Sequence, residues 1–509
     1  MTAIILLSIY IIGVLASLWK IFTQMGINGW EAIIPVWNLF RFWQIIGKKW
    51  WWLLLLCVPF INIFVFLLML IELSVGLKRN KIWEYFCAAI LPFIYFPILL
   101  WKNKEVFVNP KTLPKYKKGV FRDWFDAIIF AVVAATIVRM FFFENYTIPT
   151  SSMEKSMLVG DFVYVSKLSY GPRSPMTPLS FPLVHHTIPI LNCKSYIDGV
   201  HLDYKRYFSY NKPQKGDAVV FNFPVGDTVA TAFQSTENYY ALCRRYGREN
   251  VLKNSVTDEY GRRLDMGEII TRPVDKQENF VKRCVATAGD TLQIINQQIY
   301  INGVAVKEPK NRQFNYIIYP SPKLIAKKKW VEYGVSNEDL ERMYHYGIIN
   351  LTIDVAEKVK HLPNIDSVVP MLIPEGYYDA NVFPFDENYK WNIDNFGPLY
   401  IPKAGVTIDL TLGILPLYEH VISSYEGHQL EVKDGQIYID GGIATTYTFA
   451  MDYYWMMGDN RHNSADSRYW GFVPEDHIVG QAKYIWFSWN KDGKGFGKVR
   501  WNKLFRLVR

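Results

Sequence analysis

Apolar positions follow two different patterns along the chain. Up to about residue 143 they run together in long blocks; beyond it they fall in short alternating runs broken by Gly, Asp, Asn and Pro. Four blocks stand out: "AIILLSIYIIGVLASLWKIF" (3–22), "WWWLLLLCVPFINIFVFLLMLIELSVGL" (50–77), "IWEYFCAAILPFIYFPILLW" (82–101) and "DWFDAIIFAVVAATIVRMFFF" (123–143). A helix crosses a bilayer with about 20 apolar residues. Residues 1–122 therefore read as a membrane region with about three apolar segments, and 123–144 as a further transmembrane helix leading out of it. The first block has no basic head and no A-x-A exit, which weighs against a cleaved signal peptide. The second exceeds one span, and Pro59 stands where it would kink or divide it. Arg139, near the far end of the fourth, is placed to snorkel to the interface.

From residue 145 the runs are those of strands. "GDFVYVSK" (160–167), "KGDAVVFNFP" (215–224) and "NFVKRCVATAGDTLQII" (279–295) are rich in β-branched and aromatic residues and bounded by turn formers. "QQIYINGVAV" (297–306) and "GQIYIDGGIA" (435–444) each predict a hairpin around Asn-Gly or Asp-Gly. One amphipathic helix is predicted around "SNEDLERMYHYG" (336–347). The expected architecture is a mainly β domain tethered to an N-terminal α-helical transmembrane region.

Charge sharpens this division. The formal net charge of +9 could suggest a nucleic-acid partner, but residues 1–122 hold 14 Lys/Arg against 4 Asp/Glu, and the rest of the chain is close to neutral. The excess surrounds the apolar blocks, where it reports membrane orientation. No zinc-finger spacing, Walker loop or arginine-rich arm is present, so nucleic acid is not an expected partner. The basic connector 102–122 is expected on the cytoplasmic side, which sends everything after residue 144 to the opposite face. Four single spans would put "KRNK" (78–81) outside, against the same tendency, so the number of spans stays open. Of five cysteines, Cys57 and Cys87 lie in apolar blocks; Cys193, Cys243 and Cys284 allow one disulfide without choosing the pair.

"NYTIPTSSMEKSMLVGDFVYVSK" (145–167) follows the last apolar block and offers three serines and no histidine. A serine hydroxyl needs a base within hydrogen-bond reach to act as a nucleophile. His462, with Asp466 to orient it, is one candidate; His185 and His186 look like loop residues. Lysine is another. With an ordinary pKa of about 10.4, only roughly 1 in 2,500 lysines is neutral at pH 7, but burial lowers that pKa by up to about 3–5 units. Lys282 in "NFVKRCVATAGD" has the required apolar β context, with Phe280 and Cys284 on its face if the run is a strand. A surface lysine paired with a carboxylate is the plainer alternative.

"IPTSSMEKSMLVGDFVYVSK", "KPQKGDAVVFNFP", "FVKRCVATAGDTL" and "MGDNRHNSADSRYWGFVP", in this order after a hydrophobic segment, resemble the sequence boxes of bacterial type I signal peptidases. These membrane-bound proteases remove signal peptides from exported preproteins. The resemblance spans roughly 123–310 and 430–490. It implies a signal-peptidase-like complex β fold, Ser152 as nucleophile with Met153 beside it, and Lys282 as general base of a Ser/Lys dyad. It also implies Ser464 as a hydroxyl that hydrogen-bonds and orients that lysine, and Asp466 with Arg468 as a supporting pair. Thr150 stands where many members have a serine whose hydroxyl joins the Ser152 N–H in the oxyanion hole. His462 stands where aspartate is common, which argues against a catalytic histidine.

No metal or organic cofactor is implied. The implied setting is a bacterial inner membrane, with the catalytic domain on the outer face, near the protein-export translocon. Its partners would be the lipid bilayer and secretory preproteins with small residues at −3 and −1. The catalytic β domain would comprise 145–310 and 428–509, with an insertion of unassigned role at 311–427. The tail 486–509 mixes basic and aromatic residues, and reads either as a final strand or as a segment resting on the outer leaflet. A self-cleaving Ser/Lys protease and a non-catalytic membrane scaffold are the alternatives.

Overall fold

The computed structural model describes residues 2–56, 61–114, 120–189, 191–234, 236–258, 261–491, 493 and 495–508. The chain divides into two compact units, Met1–Ile137 and Val138–Arg509.

The first unit is helical. Its helices are Thr2–Gln24, Trp37–Ile46, Trp51–Leu56, Ile61–Gly76, Ile82–Ile90 and Pro92–Pro97, the last continuing through Ile98–Lys102; Val120–Phe141 closes the unit and enters the next. Leu18, Phe22, Phe42, Met69, Leu73 and Phe96 sit at the centre of its core. Among the described residues the apolar blocks are helical, the first and fourth each as one helix and the other two as more than one. The 82–101 block breaks at Leu91, because Pro92 cannot donate into the preceding helix and instead starts a new one. The two pieces lie 106° apart. The 50–77 block yields two helices, and Pro59 lies between them, outside the described residues. Among the described residues no single helix is long and apolar enough to cross a membrane, whereas the bent pair Ile82–Ile90 and Pro92–Lys102 passes on length and composition. Among the described residues, the 82–101 block is thus a bent pair of helices where a single span was expected.

The second unit is built on an antiparallel sheet whose strands, in chain order, are β1 (Phe143–Thr147), β2 (Asp161–Ser166), β3 (Ala218–Asn222), β4 (Asn279–Ala286), β5 (Tyr453–Met457), β6 (Val473–Pro474), β7 (Ile478–Ser488) and β8 (Arg506–Leu507). Their spatial order is β1-β2-β7-β3-β4-β5-β6, with β8 also on β7. Pairing of β8 with Tyr484 and Ile485 makes the end of the chain part of the sheet. Strand parity gives the sheet two cores. Along β3, Ala218 and Val220 join Ile148, Met153, Val163 and Ile485 on one face. Val219 and Phe221 join Cys284, Met456 and Trp470 on the other.

Register leaves one opening. Strand β4 pairs with β3 from Asn279 to Arg283, but with β5 only from Arg283 onward. Residues 279–282 therefore have a strand neighbour on one side alone.

Both predicted hairpins form, with Asn302 and Asp440 at positive φ followed by Gly303 and Gly441. The stretch 311–427 is two things structurally. Residues 313–370 make a three-stranded sheet, Ile348–Thr352, Gln313–Tyr319 and Ser367–Pro370, flanked by helices Lys327–Glu332, Asn337–Tyr346 and Ile353–Lys360. These enclose a core of their own around Trp330, Leu340, Met343, Ile349 and Val359. The later part instead contributes Phe383, Phe396, Leu399 and Tyr418 to the core that holds the hairpins and Trp455. Cys193, Cys243 and Cys284 are free thiols, so the disulfide left open by the sequence is not formed.

Trp330 is fully buried at the centre of the 313–370 core. Truncating it to alanine is expected to cost that core about 3–5 kcal/mol. Hydrogen exchange is the check: amides of 313–319 and 348–352 should lose protection while those of β3 and β4 keep theirs. Equal loss in β4 would show that the insertion has no separate core.

Candidate active site

A cleft of about 800 Å³ opens on the unpaired side of residues 279–282. One wall is the chain leaving β1, Tyr146 to Met153, and the other is Glu278 to Lys282. Its lining includes Ile148, Val163, Val165, Val220 and Val281, with His462, Asn463 and Ser464 at one end.

Ser152 and Lys282, 130 positions apart, meet here. The Lys282 Nζ lies 2.6 Å from Ser152 Oγ. Local sequence positions both. Ser152 sits in a single 3₁₀ turn, Ser151–Met153, pinned from beneath by fully buried Met153 in the Ile148–Val163 core. Lys282 projects from β4 on the face that carries Phe280, whose ring centroid is 5.8 Å from Nζ. Residues 152 and 282 are only 8% and 5% exposed. Burial pushes the Lys282 amine down to about 8, against the raising pull of Asp466 and Asp459, with Arg468 lowering it further.

The turn Gly458–Arg461 holds the serine segment in place. The Asn460 N–H donates to the Ser152 carbonyl at 3.0 Å, and Asn460 Nδ2 to the Ser151 carbonyl at 3.3 Å. Asn463 Nδ2 donates to Ser151 Oγ at 2.9 Å. Gly458 is required by space: a Cβ there would lie 2.2 Å from Ser464 Oγ and 2.6 Å from the Ser152 carbonyl.

Three buried ion pairs converge on this turn. Asp459 takes Arg283 Nε at 2.7 Å and Nη2 at 2.6 Å, and Ser156 Oγ donates to it at 2.6 Å. Arg461 pairs with Glu308 and donates through Nε to the Gly458 carbonyl at 3.1 Å. Asp466 takes Arg468 Nε at 2.9 Å and Nη2 at 2.8 Å, and the Gly458 N–H at 3.0 Å. Burial opposes ionisation of Asp466, but the Arg468 charge outweighs it and holds the carboxyl below the usual carboxylate range.

The sequence-derived residues fare unevenly. Ser152, Met153, Lys282 and Ser464 gather at the cleft, and Asp466 pairs with Arg468 directly behind it. Thr150 lines the cleft wall, in extended backbone with its side chain exposed. Ser464 differs from expectation: its hydroxyl is buried but finds no hydrogen-bond partner among the described residues, so it does not bond Lys282. The pairing of His462 with Asp466 is also corrected. The His462 Nδ1 accepts the Asn315 N–H at 3.1 Å, and its Nε2 lies 2.8 Å from Asp394 Oδ1. Both ring nitrogens are engaged away from Ser152, by residues of the insertion. His185 Nε2 meets the Gln277 carbonyl and His186 meets Glu278, as loop residues do.

Ser156, Arg283, Asp459 and Glu308 are the residues that sequence reasoning passed over. Arg283 and Asp459 lie inside quoted boxes, and an arginine in an apolar strand needs a buried acid; that need was the available signal.

The family described as "Signal peptidase, peptidase S26" matches residues 121–318 and 444–489. A family of unknown function (DUF5684) matches residues 30–110. Among curated proteins, Signal peptidase I of Buchnera aphidicola subsp. Schizaphis graminum is 26% identical over 396 residues, covering 77% of this chain and 82% of the relative. Signal peptidase I of Haemophilus influenzae is 24% identical over 455 residues, covering 88% and 91%. That of Aquifex aeolicus is 22% identical over 361 residues, covering 70% and 80%. The relatives thus align across most of their own length, and the S26 match takes in Ser152, Lys282 and the segment from Gly458 to Arg468. The S26 match and the Signal peptidase I relatives together support a bacterial type I signal peptidase and indicate a serine protease hydrolase.

Proposed function

We propose that the protein removes signal peptides from exported preproteins by a Ser152/Lys282 dyad, after small residues at −3 and −1. The observation that carries this reading is the 2.6 Å contact between a buried lysine amine and a serine hydroxyl at the edge of a peptide-sized cleft. With a pKa of about 8, about one Lys282 in ten is neutral at pH 7. The neutral amine takes the Ser152 proton while Oγ forms a bond to the scissile carbonyl carbon. Carbonyl electrons move to oxygen, and donors at Ser152 N–H and Thr150 Oγ1 stabilise that charge. Collapse breaks the C–N bond, and the Lys282 ammonium returns the proton to the leaving amine. Water then repeats the sequence on the acyl-enzyme, with Lys282 again as base.

The substrate backbone lies extended along residues 279–282, whose unpaired side offers the N–H and C=O groups of a strand edge. Ile148, Val163, Val165, Val220 and Val281 then face the residues before the scissile bond, which favours small apolar side chains.

The apolar helices of residues 1–137 attach the chain to the membrane, and signal peptides arrive there with their apolar cores in lipid. Alkaline carbonate extraction of cell membranes is expected to leave the full chain in the pellet; release into the supernatant removes the membrane part of the reading.

For the dyad, full-length protein in detergent should cleave a preprotein. Ser152→Ala and Lys282→Met should each lower kcat/KM by about 10³-fold or more. Undiminished cleavage by either variant contradicts the assignment. Because the protonated amine cannot accept a proton, wild-type kcat/KM should rise about tenfold per pH unit below about 8 and level off above it. A flat profile from pH 6 to 9 excludes lysine as the base.

A further inference from the structure

Among the residues that line the cleft, Glu338 comes from the insertion. It lies in the first turn of helix Asn337–Tyr346, whose N-terminus is capped by Ser336 Oγ accepting the Asp339 N–H at 3.1 Å. Among the described residues Glu338 forms no ion pair, and it is exposed.

Its position is fixed by contacts to the catalytic turn. Lys155 donates to the Gly334 carbonyl, which brings the segment before this helix against the residues just after Ser152. The Gln313 N–H donates to the Asp459 carbonyl at 2.9 Å, and the Arg461 N–H returns a bond to the Gln313 carbonyl at 2.9 Å. With the His462 contacts to Asn315 and Asp394, these bonds set the insertion on the same turn that holds Ser152.

Chain direction then orients the cleft. Residues 148–150 and 279–282 flank the side leading to Ser152, and Glu278 marks that far end, about 13 Å from Lys282 at strand spacing. Glu338 also lines the cleft, and it lies near Glu154, two residues beyond Ser152, where its charge helps to push the Glu154 carboxyl up; that is the side away from residues 148–150, which precede Ser152. The other charges near it are less accessible to a substrate. Asp339 is buried against Ser336 and lies 4.0 Å from Arg342, Lys155 donates to the Gly334 carbonyl, and Glu154 is buried, with burial and the Asp339 and Glu338 charges pushing its carboxyl up to about 7. Glu338 is the exposed carboxylate among them.

We propose that Glu338 sets a charge preference for the first residues of the released mature chain, favouring a cationic side chain and disfavouring an acidic one. This rests on the peptidase reading above and adds to it a specificity residue supplied by the insertion. The test uses the full-length protein in detergent at low salt, with quenched fluorescent peptides identical except for Lys, Gln or Glu two residues after the scissile bond. Wild type should prefer Lys over Glu by about three- to tenfold in kcat/KM, as expected of an exposed charge pair, and the preference should shrink at 0.5 M salt. Glu338→Gln should bring the ratio to within about twofold of unity, and Glu338→Lys should invert it. An unchanged ratio in Glu338→Gln overturns the proposal. So does a change that appears only with peptides charged four residues before the scissile bond. Failure of wild type to cleave any peptide falls instead on the peptidase reading, and takes this inference with it.

Discussion

Enclosing an ammonium ion in protein costs several kcal/mol even after relaxation, and Lys282 is 5% exposed. Everything around the cleft is consistent with that cost being met by loss of the proton. Among the described residues no carboxylate touches the amine; its hydrogen-bond contact is the Ser152 hydroxyl. The nearest acids are already spoken for, Asp466 by Arg468 and Asp459 by Arg283. Had either been free to pair with Lys282, the amine would be held charged, and a charged lysine is no base. The arrangement separates the charges that build the site from the one group that has to be neutral.

The same ion pairs explain how the geometry is kept. A buried pair adds little net stability compared with apolar packing, yet removing one partner is costly because the other is left uncompensated. Arg283–Asp459, Arg461–Glu308 and Arg468–Asp466 all meet at the Gly458–Arg461 turn, which in turn holds the Ser151 and Ser152 carbonyls. Rigidity of this kind is what a reaction needing sub-ångström placement requires. The insertion is part of that rigidity, since Gln313, Asn315 and Asp394 bind Asp459, Arg461 and His462.

Much of the β architecture was legible in the sequence. Hairpins at Asn302-Gly303 and Asp440-Gly441 follow from local turn chemistry, and helix Asn337–Tyr346 from its Ser336 cap and amphipathic spacing. The apolar setting of Lys282 also marked it as unusual, because β parity put Phe280 and Cys284 on its face. Its meeting with Ser152 was not legible from spacing, since contacts across 130 residues leave no local trace; ordered boxes resembling a known family supplied it. Ser156 looked like an ordinary loop serine because its partner, Asp459, lies 303 residues away. His462 invited pairing with Asp466, four positions along, whereas the fold delivers Asp394 from the insertion. The 82–101 block reads as one straight segment because hydropathy averages over Pro92, whereas the backbone bends there.

The central claim is that burial, more than any other influence, sets Lys282 apart from ordinary lysines. Titrating the Lys282 side chain directly tests this, by following its Cε chemical shift with pH in ¹³C-lysine-labelled full-length protein, assigned by comparison with Lys282→Met. The account predicts a midpoint near pH 8, and a midpoint still well below the ordinary lysine range in Ser152→Ala, where the hydroxyl is gone but the burial stays. A midpoint near 10.5 in the wild type would mean that the amine is charged at neutral pH and that its contact with Ser152 is only structural.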